Sequence, residues 1–334
     1  MRATSKLFLL VAIALTACAK KDARGPTVEP RALAAPRPEL PTLLAFMPQS
    51  ASAEATFAGL ESELGEDFNL MPSYLGADAT ASQLAEQIER SRPAILLLMN
   101  NPTLRLYRSY QALPTARRDL PAVAVLASFL RETSGGINNL TGVIYEVPLL
   151  TSLVNLRVLL KQPLKRVGVI LRPSFRGVLE EQRALAASEG FQLVGVEVAG
   201  TDQREVKNAL ERLRGDEKVD AIWVLNDNLL LAPNVLTKGW LPGLKGNKIP
   251  VVVNVGSLLS RKVDFGTFAV LPDHRALGVQ AAALVSSVAE RGWQTNGLDF
   301  EYPVSVETVL DLTFARKNLE LAEDQLATVD RLLE

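Results

Sequence analysis

One cysteine, Cys18, and one histidine, His274, limit the chemistry open to this chain. A disulfide within the chain needs two thiols, and a Cys-rich or His-rich metal site needs several ligands, so neither fits the composition. A Ser-His-Asp triad would have to run through His274. That residue follows Pro272-Asp273 at the start of a helical pattern and reads as a surface or hinge residue. No phosphate-binding loop, Gly-x-Ser-x-Gly elbow or metal spacing is present, and Gly135-Gly136 is not a dinucleotide fingerprint. What remains is a set of short polar side chains placed just after apolar runs. They are Ser50, Asn100, Ser128, Ser174, Asp227, Asn228 and Ser257, with Phe175 and Gly256 beside them. Ser and Asn in such places donate to a carboxylate, Asp227 accepts from an amino group while facing solvent, and Phe175 covers an apolar face. This is the chemistry of holding a small polar or zwitterionic solute, with no catalysis, cofactor or metal. The same residue types are ordinary helix caps and turn formers, and every position carries that alternative.

Those positions gain meaning from the elements before them. Residues 43–47, 68–74, 94–99 and 122–126 are apolar runs separated by helical patterns over 51–64 and 81–90. The pattern restarts at 166–171, followed by a helix over 176–189 that should stop at Gly190. Runs at 192–198, 221–225 and 250–255 follow, with a helix over 204–214. Runs that are apolar at nearly every position predict parallel strands covered on both faces, and parallel strands need crossover helices. In open sheets of this kind ligands sit beyond the carboxyl ends of the strands, which is where Gln49, Asn101, Asn226 and Asn254 also fall. The reading is α/β, with two Rossmann-like lobes and a cleft between them. Trp223 reads as core, and Trp240 and Trp293 as packing or rim residues. A net charge of −1 and the absence of any long basic run argue against nucleic acid as a partner.

The first eighteen residues carry a separate signal. Arg2 and Lys6 precede an apolar run over 7–14, too short to span a bilayer permanently, and Leu15-Thr16-Ala17-Cys18 follows directly. This resembles the lipobox of bacterial lipoproteins. Cleavage before Cys18 and acylation of Cys18 are the expectation, with residues 1–17 as signal peptide. Residues 18–40 carry four prolines, Pro26, Pro30, Pro36 and Pro38, and few large apolar side chains, so a disordered tether is expected. As a flexible coil it would hold its ends roughly 25 Å apart. More than one acyl chain gives stable anchoring, so the membrane is an expected partner through lipid alone. The globular part would face the periplasm or the outside. Ala19, where an Asp would favour inner-membrane retention, suits an outer-membrane lipoprotein in a Gram-negative host.

Several segments of the second half resemble the family of ABC-transporter substrate-binding proteins that includes members assigned to tryptophan and tyrosine. They are Asn139-Leu140-Thr141-Gly142-Val143, residues 162–169, Asp220-Ala221-Ile222-Trp223-Val224 with Asp227-Asn228, Lys248-Ile249-Pro250-Val251, residues 277–282 and residues 312–334 including Ala315-Arg316. The likeness covers about 135–334 and is only architectural over 41–134. It implies the type I periplasmic-binding-protein fold, with three chain crossings forming a hinge. The first lobe is expected to hold 41–150 and 272–298, and the second 151–271 and 299–334. It further implies a small solute as ligand, an ABC permease as partner, and closure of the lobes around the ligand. A lipoprotein of the same fold that senses ligand or serves an envelope partner without transport is the alternative. The chain departs from the family at 127–136, where the usual Asp-Pro element is missing, so the family's first-lobe contacts do not carry over there.

Overall fold

The computed structural model describes residues 37–334 apart from 77, 201 and 260–264. The expected signal peptide, Cys18 and nearly all of the expected tether lie outside the described residues. The chain is tied down from Arg37, earlier than the expected end of the tether. Asn69 accepts from the Arg37 backbone at 2.7 Å and donates to the carbonyls of Arg37 and Leu40 at 2.7 and 3.0 Å.

Five strands form the first sheet: β1 Thr42–Met47, β2 Asn69–Tyr74, β3 Ile95–Met99, β4 Ala122–Val125 and β5 Leu140–Gly142. They pair in parallel in the order β2-β1-β3-β4-β5. The helices between them are α1 Ala51–Leu64, α2 Ala81–Ser91, α3 Asn101–Gln111 and the single turn α4 Leu130–Thr133. The central strands are apolar throughout because both faces are covered. Leu43, Phe46 and Met47 are fully buried, each contributing about 1.5–3 kcal/mol on folding. Helix α2 starts on a capping box in which Thr80 and Gln83 satisfy one another's backbone donors.

The second sheet has seven strands: β6 Arg166–Leu171, β7 Gln192–Glu197, β8 Ala221–Val224, β9 Val251–Val253, β10 Phe268–Pro272, β11 Val306–Asp311 and β12 Arg331–Leu333. Their order is β12-β11-β10-β9-β8-β6-β7. The sheet is not wholly parallel, because β10 and β11 pair antiparallel. Helices α5 Leu149–Leu159 and α6 Arg176–Ala187 cover one face. The other is covered by α7 Gln203–Gly215 and by the short helices α8 Pro233–Val235 and α9 Leu241–Gly243, joined by a π turn. Helix α6 ends three residues before Gly190, which instead turns the chain with a φ of +79°.

The remaining long helix, α10 His274–Glu290, leaves β10 and packs on α1 in the first lobe. Gly59 and Gly278 let the two helix backbones approach, since a Cβ on Gly278 would lie 1.9 Å from the Thr56 carbonyl oxygen. A last helix, α11 Leu312–Asn318, follows β11.

The chain therefore passes between the sheets three times, after β5, between β10 and α10, and before β11. The crossings lie side by side. Ile144 donates to the Glu301 carbonyl at 2.8 Å, and Asp273 donates to the Ser305 carbonyl at 3.1 Å. A bridge between Val143 and Glu301 keeps Glu301 on the first sheet, a little beyond the expected boundary at 299.

Candidate functional site

Where the crossings meet the carboxyl ends of the strands, a cleft opens between the lobes. It holds about 530 Å³ of atom-free space, counted out into its open mouth. From the first lobe it is walled by residues 129–132, which enter and form α4, and from the second by α6 and the ends of β8 and β9. The crossings themselves form the floor, through residues 144 and 146–148 and Tyr302. Most of the wall surface is apolar, from the aliphatic Leu130, Ile144, Val147, Val178 and Leu225 and the aromatic Phe129, Trp223 and Tyr302.

Seven of the sixteen wall residues are polar or charged, and they differ in how far they are already engaged. Glu146 lies on the first crossing, largely buried but with part of its surface exposed. Both of its carboxylate oxygens lie 3.1 Å from the Phe129 N–H, which donates to them. Burial pushes its carboxyl up to about 7, against the hydrogen bonds from Phe129 and the Ser128 hydroxyl, and the charge on Glu132 pushes the same way as burial. Trp223 and Asn254 stand at the ends of β8 and β9. Among the described residues, the Trp223 indole N–H and the Asn254 side-chain oxygen are buried without a hydrogen-bond partner. Buried polar atoms are normally paired; of the seven unpaired side-chain atoms among the described residues, two, a donor and an acceptor, belong to residues that wall this one cleft, a combination that suits a polar ligand. Gln182 of α6 is already used, accepting from the Leu149 N–H at 2.8 Å.

The lobes touch at the mouth. Asn226 at the end of β8 donates to the Ser128 hydroxyl beyond β4 at 3.0 Å. Phe129 and Phe175 meet edge to face with centroids 5.0 Å apart. Tyr302 donates to Glu181 at 2.8 Å, and Arg131 lies over the Tyr302 ring. Leu126 and Phe129 adopt φ of +56° and +51°, left-handed values that cost non-glycine residues energy and that recur at ligand-binding turns.

The expected site residues separate into groups in this geometry. Ser50 caps α1 through a bond from the Ala53 N–H at 3.2 Å. Asn100 caps α3 by accepting from Thr103 at 3.0 Å, and it lines a separate shallow groove with Met47 and Pro48. Ser128 and Phe175 lie at the mouth, each touching a residue of the wall. Ser174, Asn228, Gly256 and Ser257 are exposed outside the cleft wall.

Asp227 departs most from expectation. It does not face solvent awaiting an amino group; it is 1% exposed. Arg172, at the end of the neighbouring β6, donates to its two oxygens at 2.7 and 2.9 Å, and the Leu229 N–H donates to it as well. The carboxylate is already neutralised. His274 lies on the second crossing, with its ring nitrogen 3.2 Å from the Tyr145 hydroxyl, and burial lowers its pKa from the usual 6.5.

Strand-end reasoning reached Asn226 and Asn254 but missed Glu146, Tyr302 and Glu181, which sit on crossings and a helix. One signal was available for Glu146, a lone charge inside the apolar stretch 143–150. Trp223 is both core and wall.

Comparison with known proteins fixes the fold. No family model matches the chain, and no curated protein matches it. Among solved structures, an ABC domain in complex with L-Trp from Streptococcus pneumonia is 18% identical, with a TM-score of 0.52 covering 87% of this chain and 100% of that one. The ligand-free, open form of a substrate-binding protein with adhesive properties from Clostridium difficile is 16% identical, with a TM-score of 0.61 over 84% and 98%. A leucine-binding protein from Thermotoga maritima is 13% identical, with a TM-score of 0.50 over 77% and 85%. The architecture is the type I periplasmic-binding-protein fold.

Proposed function

We propose that this chain is an extracytoplasmic solute-binding lipoprotein of an ABC-type import system, holding a small polar or amino-acid-like ligand between two closing lobes. One observation carries the reading. Among the described residues, the cleft at the hinge buries an unpaired donor on Trp223 and an unpaired acceptor on Asn254 within a wall whose surface is mostly apolar. Those groups have lost water without gaining a partner, and a ligand that supplies both partners on closure recovers that loss. The contacts at the mouth, Asn226 to Ser128 and Phe129 to Phe175, hold the lobes together around it. Closure is a population shift whose size is set by how much better the closed state binds the ligand.

The test is a thermal-shift screen of the full-length protein in mild detergent against amino acids, peptides, amines, sugars and nucleosides, followed by calorimetry of each hit. A hit whose affinity falls when Trp223→Phe removes the N–H supports the reading. A screen with no hit, or hits indifferent to that change, refutes it. Uptake of the hit by cells with and without the protein then separates import from sensing.

The anchor is part of the proposal. Lipidation at Cys18 predicts that Cys18→Ala abolishes membrane fractionation of the cleaved form and shifts the intact mass. An unchanged mass and unchanged fractionation of that variant would refute the anchor.

A further inference from the structure

The charge of the solute can be read from the cleft wall, on the reading that the cleft binds one. Three carboxylates line the cleft, Glu132, Glu146 and Glu181, against one guanidinium, Arg131. Arg131 is stacked over Tyr302, whose hydroxyl is bonded to Glu181. The nearby guanidinium of Arg172 is taken up by both oxygens of Asp227. Among the described wall residues carboxyl groups outnumber guanidinium groups three to one, so a ligand carboxylate would give up water beside an excess of like charge. The unpaired groups add detail. Trp223, 3% exposed, offers an indole N–H and asks for an acceptor. Asn254, 8% exposed, offers an oxygen and asks for a donor.

We propose that the cleft takes a small organic cation, a protonated primary amine whose second polar group is a neutral acceptor such as an alcohol, amide or ester. Glu146 is its counter-ion, Asn254 accepts a further ammonium hydrogen, and Trp223 donates to the neutral group. The ligand's body is aliphatic, to match Leu130, Ile144, Val147, Val178 and Leu225.

A proton linkage accompanies this arrangement. The Glu146 carboxyl sits at about 7, and an ammonium beside it favours the ionised form, so binding releases a proton near neutrality. The other titratable or charged groups around it are Glu132 and Arg131 on α4, Glu181 on α6, and Tyr145 and Tyr302 on the crossings, with His274 beyond Tyr145. Glu132 acts in the same direction as burial, and His274 is held low by burial. Affinity for an amine therefore rises from pH 5.5 to pH 8, and Glu146 is the source of that slope.

The experiment uses three probes with one body: L-leucinol as cation, L-leucine as zwitterion and N-acetyl-L-leucine as anion. Calorimetry on the full-length protein in mild detergent should show L-leucinol binding at least about tenfold tighter than L-leucine, and no binding of the anion. Glu146→Gln should weaken L-leucinol by about tenfold or more and flatten its pH dependence. Equal or tighter binding of L-leucine, or L-leucinol affinity unchanged in magnitude and pH slope by Glu146→Gln, overturns the proposal. If all three probes fail while the broad screen yields a cleft ligand, the cation proposal falls and solute binding stands. If the broad screen also yields none, both fall.

Discussion

Replacing Glu146 by Gln should stabilise the protein, and only above about pH 5. The folded-state carboxyl sits at about 7, against 4.5 for an ordinary glutamate. Between those values the folded chain holds a proton that the unfolded chain has released, so stability falls as pH rises through the window. At pH 8 the whole cost of keeping the charge in the cleft is present. At 1.36 kcal/mol per unit the upper limit is about 3 kcal/mol. Part of the side chain faces cleft water, so a gain of about 1–2 kcal/mol for Glu146→Gln at pH 8 is the working expectation. At pH 5 the wild-type group is protonated, and a neutral amide of the same shape should leave stability within about 0.5 kcal/mol. The amide oxygen can still accept from the Phe129 N–H, so the turn before α4 keeps its anchor. Urea unfolding of both proteins at pH 5, 6, 7 and 8 without ligand gives the difference directly. A difference that stays constant with pH, or one that favours the wild type at pH 8, would refute the claim that Glu146 is a strained buried acid.

Asp227→Ala should act mainly on stability. It removes both bonds from Arg172 and the bond from Leu229, and Arg172, 23% exposed, recovers only part of its hydration. A loss of about 2–3 kcal/mol in urea unfolding is expected; an unchanged midpoint with weakened ligand binding would show that Asp227 reaches the ligand instead. Gly278→Ala should destabilise the packing of α1 on α10 by about 3 kcal/mol or more, because the new methyl would meet the Thr56 carbonyl and the Leu60 nitrogen, which are backbone and cannot turn aside. Gly177→Ala in α6 is the control, since nothing lies within 4 Å of its added Cβ. It should raise the melting temperature slightly through helix propensity. Equal melting temperatures for the two variants would contradict the close-approach argument.

The sequence made the sheets legible where burial is two-sided. The runs at β1, β3, β4, β6 and β8 are apolar at almost every residue because helices cover both faces, and that leaves a mark no turn or cap can imitate. Strand β5 has three residues, and β11 carries Glu307 and Asp311 near its ends, so neither stands out from its surroundings. The antiparallel step from β10 to β11 arises because the chain leaves for α10 and returns by the third crossing, a path that local patterning does not encode.

The site was less legible than the fold, for a reason visible at Asp227. Its position at the end of β8 was readable, but its partner Arg172 is 55 residues away, at the end of β6. These two strands are neighbours in the sheet, so their carboxyl ends come together. A strand-end carboxylate can therefore be judged free only after the adjacent strand ends have been searched for a cation. Asp227 is neutralised in this way and lies outside the cleft wall, and Glu146 is the most buried carboxylate among the described residues of that wall. It lies on a crossing between the lobes, where strand-end reasoning does not look. Its position makes charge recognition and lobe movement share one segment of backbone: the Phe129 N–H holds the Glu146 carboxylate, Phe129 meets Phe175 across the mouth, and the adjoining Ser128 receives the bond from Asn226. A ligand that changes the charge on Glu146 must act on the bonds that join the two lobes.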